Sequence, residues 1–423
     1  MKLLILGGGS CQLNAIRRAK EKGHTVIVSD YYPDAPGKEL SDFGELTSTF
    51  DVEGNIEVAK KYAVDGVMTT GTDQPVYTAA KVAAELGLPS LIDLTTAKAV
   101  TNKRIMKNRF KAEGIPTVNF RFLKKDFSDS KLDGMNFPVV VKPLDSQGQR
   151  GVYRLGSIRE IREHFTDVLS FSREEEILVE EYYESDEITV SGWVKEGRVY
   201  LLTVTDRVTF ENGPHIGICS AHNFPSRYLK RYFQEIREIS AKIVKGFNIR
   251  NGPIYIQMLV GDEGIRINEV ACRIGGAYED VFIPHLTGVD ILEMMIDAAL
   301  GLEIDPAPLK EYDLTNNNKW FSAQLFFAWP GKIKRLTDLN SLKRLPGVIE
   351  AGFNFKIGDE IGEIKNATQR AGYILVGGKD REHLAKNLNR VFARLKIFDE
   401  EGNNLVIRKT GTKSPVIYSR CSS

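Results

Sequence analysis

The sequence predicts an N-terminal α/β part on a parallel sheet, then an α+β body and a small C-terminal α+β piece. Three observations carry that expectation. Residues 1–100 alternate short apolar runs with helix-length segments, the pattern of a doubly wound sheet. From Phe137 to about Leu300 strand-like runs dominate. From Lys319 onward, strand signals over Trp320 to Ala328 and Gly372 to Val376 precede a helix from Arg381 to Leu395.

Lys2 to Leu6 reads as a short buried strand, and Gly7-Gly8-Gly9-Ser10 opens a helix running to about Lys22. Thr25 to Asp30 and Asp65 to Thr70 are the next strands, and Gln74 to Leu86 the next helix. Thr101 to Gly114 reads as one charged helix ending at a Gly-Ile-Pro turn. Phe137 to Val141 is an apolar strand ending in Lys142. Ile177 to Tyr183 is an apolar strand that turns acidic. Helices are expected around Tyr228 to Gly246 and Val289 to Gly301, with a linker near 301–315. No repeat, low-complexity tract or heptad pattern stands out.

Composition narrows the function classes. With 42% hydrophobic and 27% charged residues, the 423-residue chain has the make-up of an ordinary globular protein of two to four domains. A formal net charge of +1 gives no electrostatic case for nucleic acid or an anionic membrane. The four cysteines, Cys11, Cys219, Cys272 and Cys421, are scattered and read as reduced thiols of a cytoplasmic protein. Leu3 to Leu6 is too short a run for a signal peptide, and no apolar stretch approaches the roughly 20 residues of a membrane span.

The chemistry concentrates at a few places. Ile254 to Met258 and Ile265 to Arg273 read as a hairpin about the turn Gly261 to Gly264, with Gln257 and Glu269 near one face. Oxygen ligands of that kind suit Mg²⁺ on a nucleotide polyphosphate, and Arg273 beside Gly275-Gly276 can clamp a phosphoryl group. Lys142 at a strand end is followed by Asp145 to Val152, a small-residue loop able to lay N–H groups over phosphates. Glu180, Glu181 and Glu187 could hold adenine and ribose. Gly7 to Ser10 with Asp30 partly matches a dinucleotide fingerprint, but Gln12 stands where its third glycine belongs. That loop reads as a strand-to-helix turn or a substrate-phosphate contact. Arg207, His215 and His222 lie in or beside a loop between strands and could shape a substrate site.

In this order, these residues resemble the ATP-grasp superfamily over residues 1 to about 310. The C-terminal piece, with Gly347-Val348 and Arg370 to Ile374, resembles that of L-amino-acid-ligase-like members. The resemblance implies a Rossmann-like pre-ATP-grasp domain over 1–100, a small lid subdomain over 101–185, a large catalytic subdomain over 186–310 and a completing domain over 311–423. It implies ATP and Mg²⁺, with Mn²⁺ as a substitute. Lys103 and Lys142 would contact phosphates, and Ser146 to Gly151, with Gly148, would form the closing loop. Glu180, with the backbone of Glu181 and Tyr183, would hold adenine, and Glu187 ribose. Gln257 and Glu269 would hold the metal, and Arg273 would stabilise the transferring phosphoryl group; Arg207, His215, Arg273, Gly275 and Gly276 are the candidate substrate contacts.

Two positions depart from the family pattern. Gln257 matches the carbamoyl-phosphate-synthetase version of a ligand that is often glutamate, and Ala271 stands where many members have asparagine, with Asn268 one residue before the glutamate instead. The expected activity is a carboxylate–amine ligase working through an acyl phosphate on small molecules, with a homodimer as a compatible assembly. A purine-type ligase or carboxylase acting on a phosphoribosyl amine, and a non-catalytic ATP-binding regulator, are the other two readings.

Overall fold

The computed structural model describes residues 1–407, so Cys421 lies outside the described residues. The chain forms two compact units. The first takes Met1–Val118, Thr189–Val204 and Tyr228–Asn317; the second takes Asn119–Ile188, Thr205–Arg227 and the described residues from Asn318 onward.

In the first unit the expected parallel sheet is present, in the order Phe43–Glu45, Thr25–Ser29, Lys2–Leu6, Gly66–Met68. Its central strand is apolar without alternation because a parallel sheet is buried on both faces, and Leu3 to Leu6 are fully buried. The first helix begins later than its glycines suggest, at Leu13. Gly7 turns the chain at φ +100°, and the Gln12 N–H closes a turn on the Gly9 carbonyl.

The helix expected from Thr101 to Gly114 is present as Lys103–Ala112, and a separate helix, Leu94–Thr101, precedes it. Asn102 divides them. Its side-chain oxygen accepts from the N–H groups of Arg104 and Ile105 at 3.0 and 3.3 Å, which ties it to extended backbone as an N-cap. Lys103 therefore opens a helix, where the backbone already carries positive charge. Further on, Gly252–Gly261 and Gly264–Ala271 form the expected hairpin, and Arg273 lies just past its second strand.

The second unit is built on an antiparallel sheet. Its ladder runs Phe120–Lys124, Glu176–Glu181, Val139–Pro143, Tyr153–Leu155, His215–Phe224. His215–Phe224 also pairs with Trp320–Phe326, which pairs with Gly372–Gly378 and through it with Val348–Phe353. Two local features differ from the sequence expectation. Ile158–Ser170 is a helix in a stretch read mainly as strand, and its start is a Ser-x-x-Glu cap in which Ser157 accepts from the Glu160 N–H. Arg207, His215 and His222 sit within strands rather than a loop: Arg207 pairs with His222 and Asn212 with His215 across a turn at Gly213-Pro214. Among the described residues no helix is long and apolar enough to cross a membrane.

The helix Ile158–Ser170 turns Ile161, Phe165 and Val168 into one core with Val139, Val141, Ile177 and Val179. That core backs the strand that ends in Lys142. Phe165→Ala should therefore lower unfolding free energy by about 3–5 kcal/mol in urea titrations, the usual cost of emptying a buried phenylalanine site. A loss below about 1 kcal/mol would mean that the helix does not support this strand.

Candidate functional site

The expected site residues divide between the two units, and each group is described within its own unit. In the first, the hairpin register sets Gln257 directly opposite Glu269, so both side chains share one face. The register then shifts between Gln257 and Met258, which pairs with Ile267 and leaves Asn268 as an extra residue. In an unbroken strand Asn268 would point away from Glu269. The bulge brings it round, and its Nδ2 donates to Gln257 Oε1 at 3.2 Å. Lys103 reaches the same place, its Nζ 3.7 Å from Glu269 Oε1. These are hard oxygen donors beside a cation. Among the described residues no group of three or more His, Cys, Asp or Glu could enclose a metal. The side-chain oxygens of Gln257 and Glu269 suit a hard cation that completes its shell with phosphate oxygens and water rather than zinc.

Arg273 continues this face. Its guanidinium lies 4.5 Å from the Tyr255 ring centroid, and Tyr255 stands opposite Ala271 in the ladder. Asp73, two hundred positions earlier, accepts from Arg273 Nε at 2.7 Å and lies 2.6 Å from its Nη2. Burial alone would lower the guanidinium pKa, but Asp73, then Tyr255 and Glu279, raise it. Burial raises the Asp73 carboxyl against the pull of Arg273. Past Arg273, Glu279 folds back under the Gly275-Gly276 turn. It accepts from the Ala277 N–H at 2.7 Å, and a Cβ on Gly275 would fall 2.2 Å from its Oε1. The adjacent Asp280 accepts from Asn14 Nδ2 at 2.9 Å and is pushed up to about 7, chiefly by burial.

The glycines at 7–9 are held from within. Asp30 accepts from the N–H groups of Gly8 and Tyr32 at 2.8 and 2.9 Å, and Gln12 Nε2 donates to the Thr70 carbonyl. Asp30 thus braces its own loop, as the turn reading predicts. Cys272 is buried, and burial pushes its thiol up to about 12, which disfavours the thiolate.

In the second unit Lys142 and Glu180 meet diagonally across neighbouring strands, Nζ to Oε2 2.7 Å, with the two side chains 15% and 3% exposed. The sequence reading assigned them separate partners; here they form an ion pair. Glu181 accepts from the Asn136 N–H at 2.8 Å, and its own N–H donates to the Asn119 carbonyl at 3.0 Å. Tyr183 follows the strand end. Glu187 is bound to Arg207 at 2.5 Å, and Arg207 also donates to the Gly217 carbonyl at 3.2 Å. His215 packs against Tyr153 with ring centroids 4.9 Å apart, and burial, then the Lys365 charge, lowers its pKa, which keeps the ring neutral at pH 7. His222 bonds Thr205 at 3.0 Å and is buried.

The loop Ser146 to Gly151 hangs between fixed points. Asp145 accepts from Ser172 Oγ at 2.5 Å and from Arg173 Nη1 at 3.0 Å. Gly148, Gln149 and Gly151 all have positive φ, at 69°, 60° and 68°. Backbone that mixes left- and right-handed residues can point several N–H groups to one side, as phosphate-binding nests do.

Sequence reasoning missed Asp73, Tyr255, Glu279 and Asp280. Tyr255 had a local signal, its two-residue offset from Gln257 on a strand. The three carboxylates had none.

The ATP-grasp domain model matches residues 135–280, and the model "L-amino acid ligase C-terminal domain 2" matches 324–399. The Schizosaccharomyces pombe multifunctional protein ura1 is 23% identical over 70% of this chain, but the match spans only 13% of that much longer protein. The L-arginine-specific L-amino acid ligase of Bacillus subtilis is 22% identical over 78% of this chain and 79% of its own length. The formate-dependent phosphoribosylglycinamide formyltransferase of Sulfurisphaera tokodaii is 23% identical over 89% and 96%. Among solved structures, the L-amino acid ligase of Bacillus licheniformis aligns with a TM-score of 0.78 at 17% identity, covering 94% of this chain and 98% of that one. The biotin carboxylase domain of Hydrogenobacter thermophilus 2-oxoglutarate carboxylase, solved with MgADP, aligns at 0.73 and 17%, covering 94% and 90%.

Two outcomes test the buried charges. Asp73→Ala leaves Arg273 buried without its partner and should cost about 3–5 kcal/mol, whereas Asp73→Ala with Arg273→Met should recover much of that loss in a double-mutant cycle. Purely additive losses would refute the pairing. For Asp280 the folded pKa lies above the ordinary 3.8. The native state then binds the proton more tightly, and stability drops as pH rises from about 4 to about 7. At about 1.4 kcal/mol per pKa unit the wild-type chain should lose on the order of 4 kcal/mol over that window relative to Asp280→Asn; parallel stability curves would refute the shift.

Proposed function

We propose that the chain is an ATP-grasp ligase that joins a small-molecule carboxylate to an amine through an acyl phosphate, releasing ADP and phosphate. The single observation that carries this reading is the hairpin face on which Gln257, Glu269 and Arg273 follow one another. The match to the L-amino acid ligase C-terminal domain supports the carboxylate–amine form. The expected division at residues 100, 185 and 310 belongs to the same reading.

In this assignment Gln257 and Glu269 hold Mg²⁺, and Asn268 takes the place left by Ala271 through its bulge. Bound there, the ion would screen the phosphate charges that otherwise oppose transfer. Lys103 and Lys142 approach phosphate oxygens, and the N–H groups of Ser146 to Gly151 close over them. Glu180, the Glu181 and Tyr183 backbone and Glu187 serve the nucleoside end. Arg273 is already oriented by Asp73 and Tyr255, so it needs little reorganisation to stabilise charge developing on the phosphoryl group. Exclusion of water by the loop protects the acyl phosphate until the amine displaces phosphate. Arg207, His215, Gly275 and Gly276 are assigned to substrate.

Phosphate release should need a carboxylate and an amine together in a screen of amino acids. Background turnover across a broad panel would sink the ligase reading, while turnover dependent on a phosphoribosyl amine would favour the purine-type one. Glu269→Gln should lower turnover by about 100-fold or more, the scale of losing one pre-oriented electrostatic group.

A further inference from the structure

The C-terminal segment from Ile364 to Ala371 is held at both ends within the second unit. The Ile364 carbonyl accepts from Asn212 Nδ2 at 2.7 Å, and the Ile364 side chain joins Phe210, Ile218 and Phe327 in a small core. The Arg370 carbonyl accepts from Asn354 Nδ2 at 3.0 Å, and the Ala371 carbonyl from the Asn354 N–H at 2.9 Å. Between those ends lies one turn of 3₁₀ helix, Ala367–Gln369, closed by a capping box. Asn366 Oδ1 accepts from Thr368 N–H, and Gln369 Oε1 accepts from Asn366 N–H. A turn braced in this way is a rigid strut. Its first residue reaches outward: the Ala367 N–H donates to the Gly148 carbonyl at 3.1 Å.

Gly148 is the centre of the loop Ser146 to Gly151. An added Cβ there would meet nothing within 4 Å, so no side-chain packing fixes this point of the loop. The fixed neighbours are Asp145 on one side and the strand from Tyr153 on the other. Between them the bond from Ala367 is a tether to a rigid element. We propose that Ala367 is a positioning residue for nucleotide binding: through the Gly148 carbonyl it holds the phosphate loop in its binding arrangement. The C-terminal segment thereby governs how tightly ATP is held without touching it. The inference rests on the assignment of Ser146 to Gly151 as the phosphate loop.

The geometry allows this one donor to be deleted selectively. Ala367 is the first residue of its turn, where proline is tolerated, and Asn366 is extended at φ −162° and ψ −174°, a conformation compatible with a following proline. Ala367→Pro in the full chain removes the N–H and leaves both capping bonds in place. Ala367→Ser keeps the N–H and is the rescue control. Trypsin cleavage after Arg150, within the loop, reports its opening in the nucleotide-free protein. We expect Ala367→Pro to be cut about fivefold faster than wild type, the ratio set by one backbone hydrogen bond, with Ala367→Ser unchanged. The ATP KM should rise by about the same factor while kcat and the carboxylate KM hold, since the tether acts on the loop alone. Equal cleavage rates and equal ATP KM in Ala367→Pro and wild type would overturn the inference. MgATP protection of Arg150 in the wild type tests the phosphate-loop assignment separately: its absence overturns that assignment and the nucleotide role of Ala367 with it. The nucleotide-free cleavage rates still decide whether the strut holds the loop.

Discussion

The pairing of Gln257 with Glu269 constrains everything else on this candidate face of the first unit. Side chains alternate along a strand, so a slip of one residue would turn Glu269 into the core and bring Val270 out. The register is held by the buried apolar set Ile256, Met258, Ile267 and Val270, which has no other face to occupy. One deviation is built in. The bulge at Asn268 adds a polar group to the Gln257 and Glu269 face without disturbing the apolar residues on either side. It offers a physical answer to the missing asparagine at 271.

Within each unit the cations among the expected site residues meet carboxylates: Arg273 meets Asp73, with Lys103 near Glu269, in the first, and Lys142 meets Glu180 and Arg207 meets Glu187 in the second. Such pairs are poor sources of stability, because desolvating two charges offsets most of their attraction. Their value is orientation. A guanidinium fixed between a carboxylate and an aromatic ring need not reorganise when charge develops in front of it. Glu279 extends the logic to the backbone, since its carboxylate fills the space that a side chain on Gly275 would need.

Much of this was legible in the sequence. The parallel sheet, the hairpin, Lys142 at its strand end and the glycine loop were all readable from periodicity and turn residues. Two local differences were readable in principle. Asn102 and Ser157 are capping residues, and their side chains bond N–H groups two or three positions ahead. Continuous charge at 101–114 hid the first, and surrounding strand signals hid the second. The displacement of Arg207, His215 and His222 from loop to ladder is of another kind. The strand extends to Gly213-Pro214 because its partner does, and pairing is a property of two segments.

The sequence by itself determined which residue types stand on which strand, and in what order, because those features follow from side-chain spacings of two to four residues. Tertiary structure alone decided which charges meet. Asp73 and Arg273 are two hundred positions apart and join only when the segment after Gly66–Met68 and the end of the hairpin are folded together in one unit. Local propensity carries no information over that distance. The demand that a buried guanidinium find a carboxylate does, and it acts only once burial has occurred.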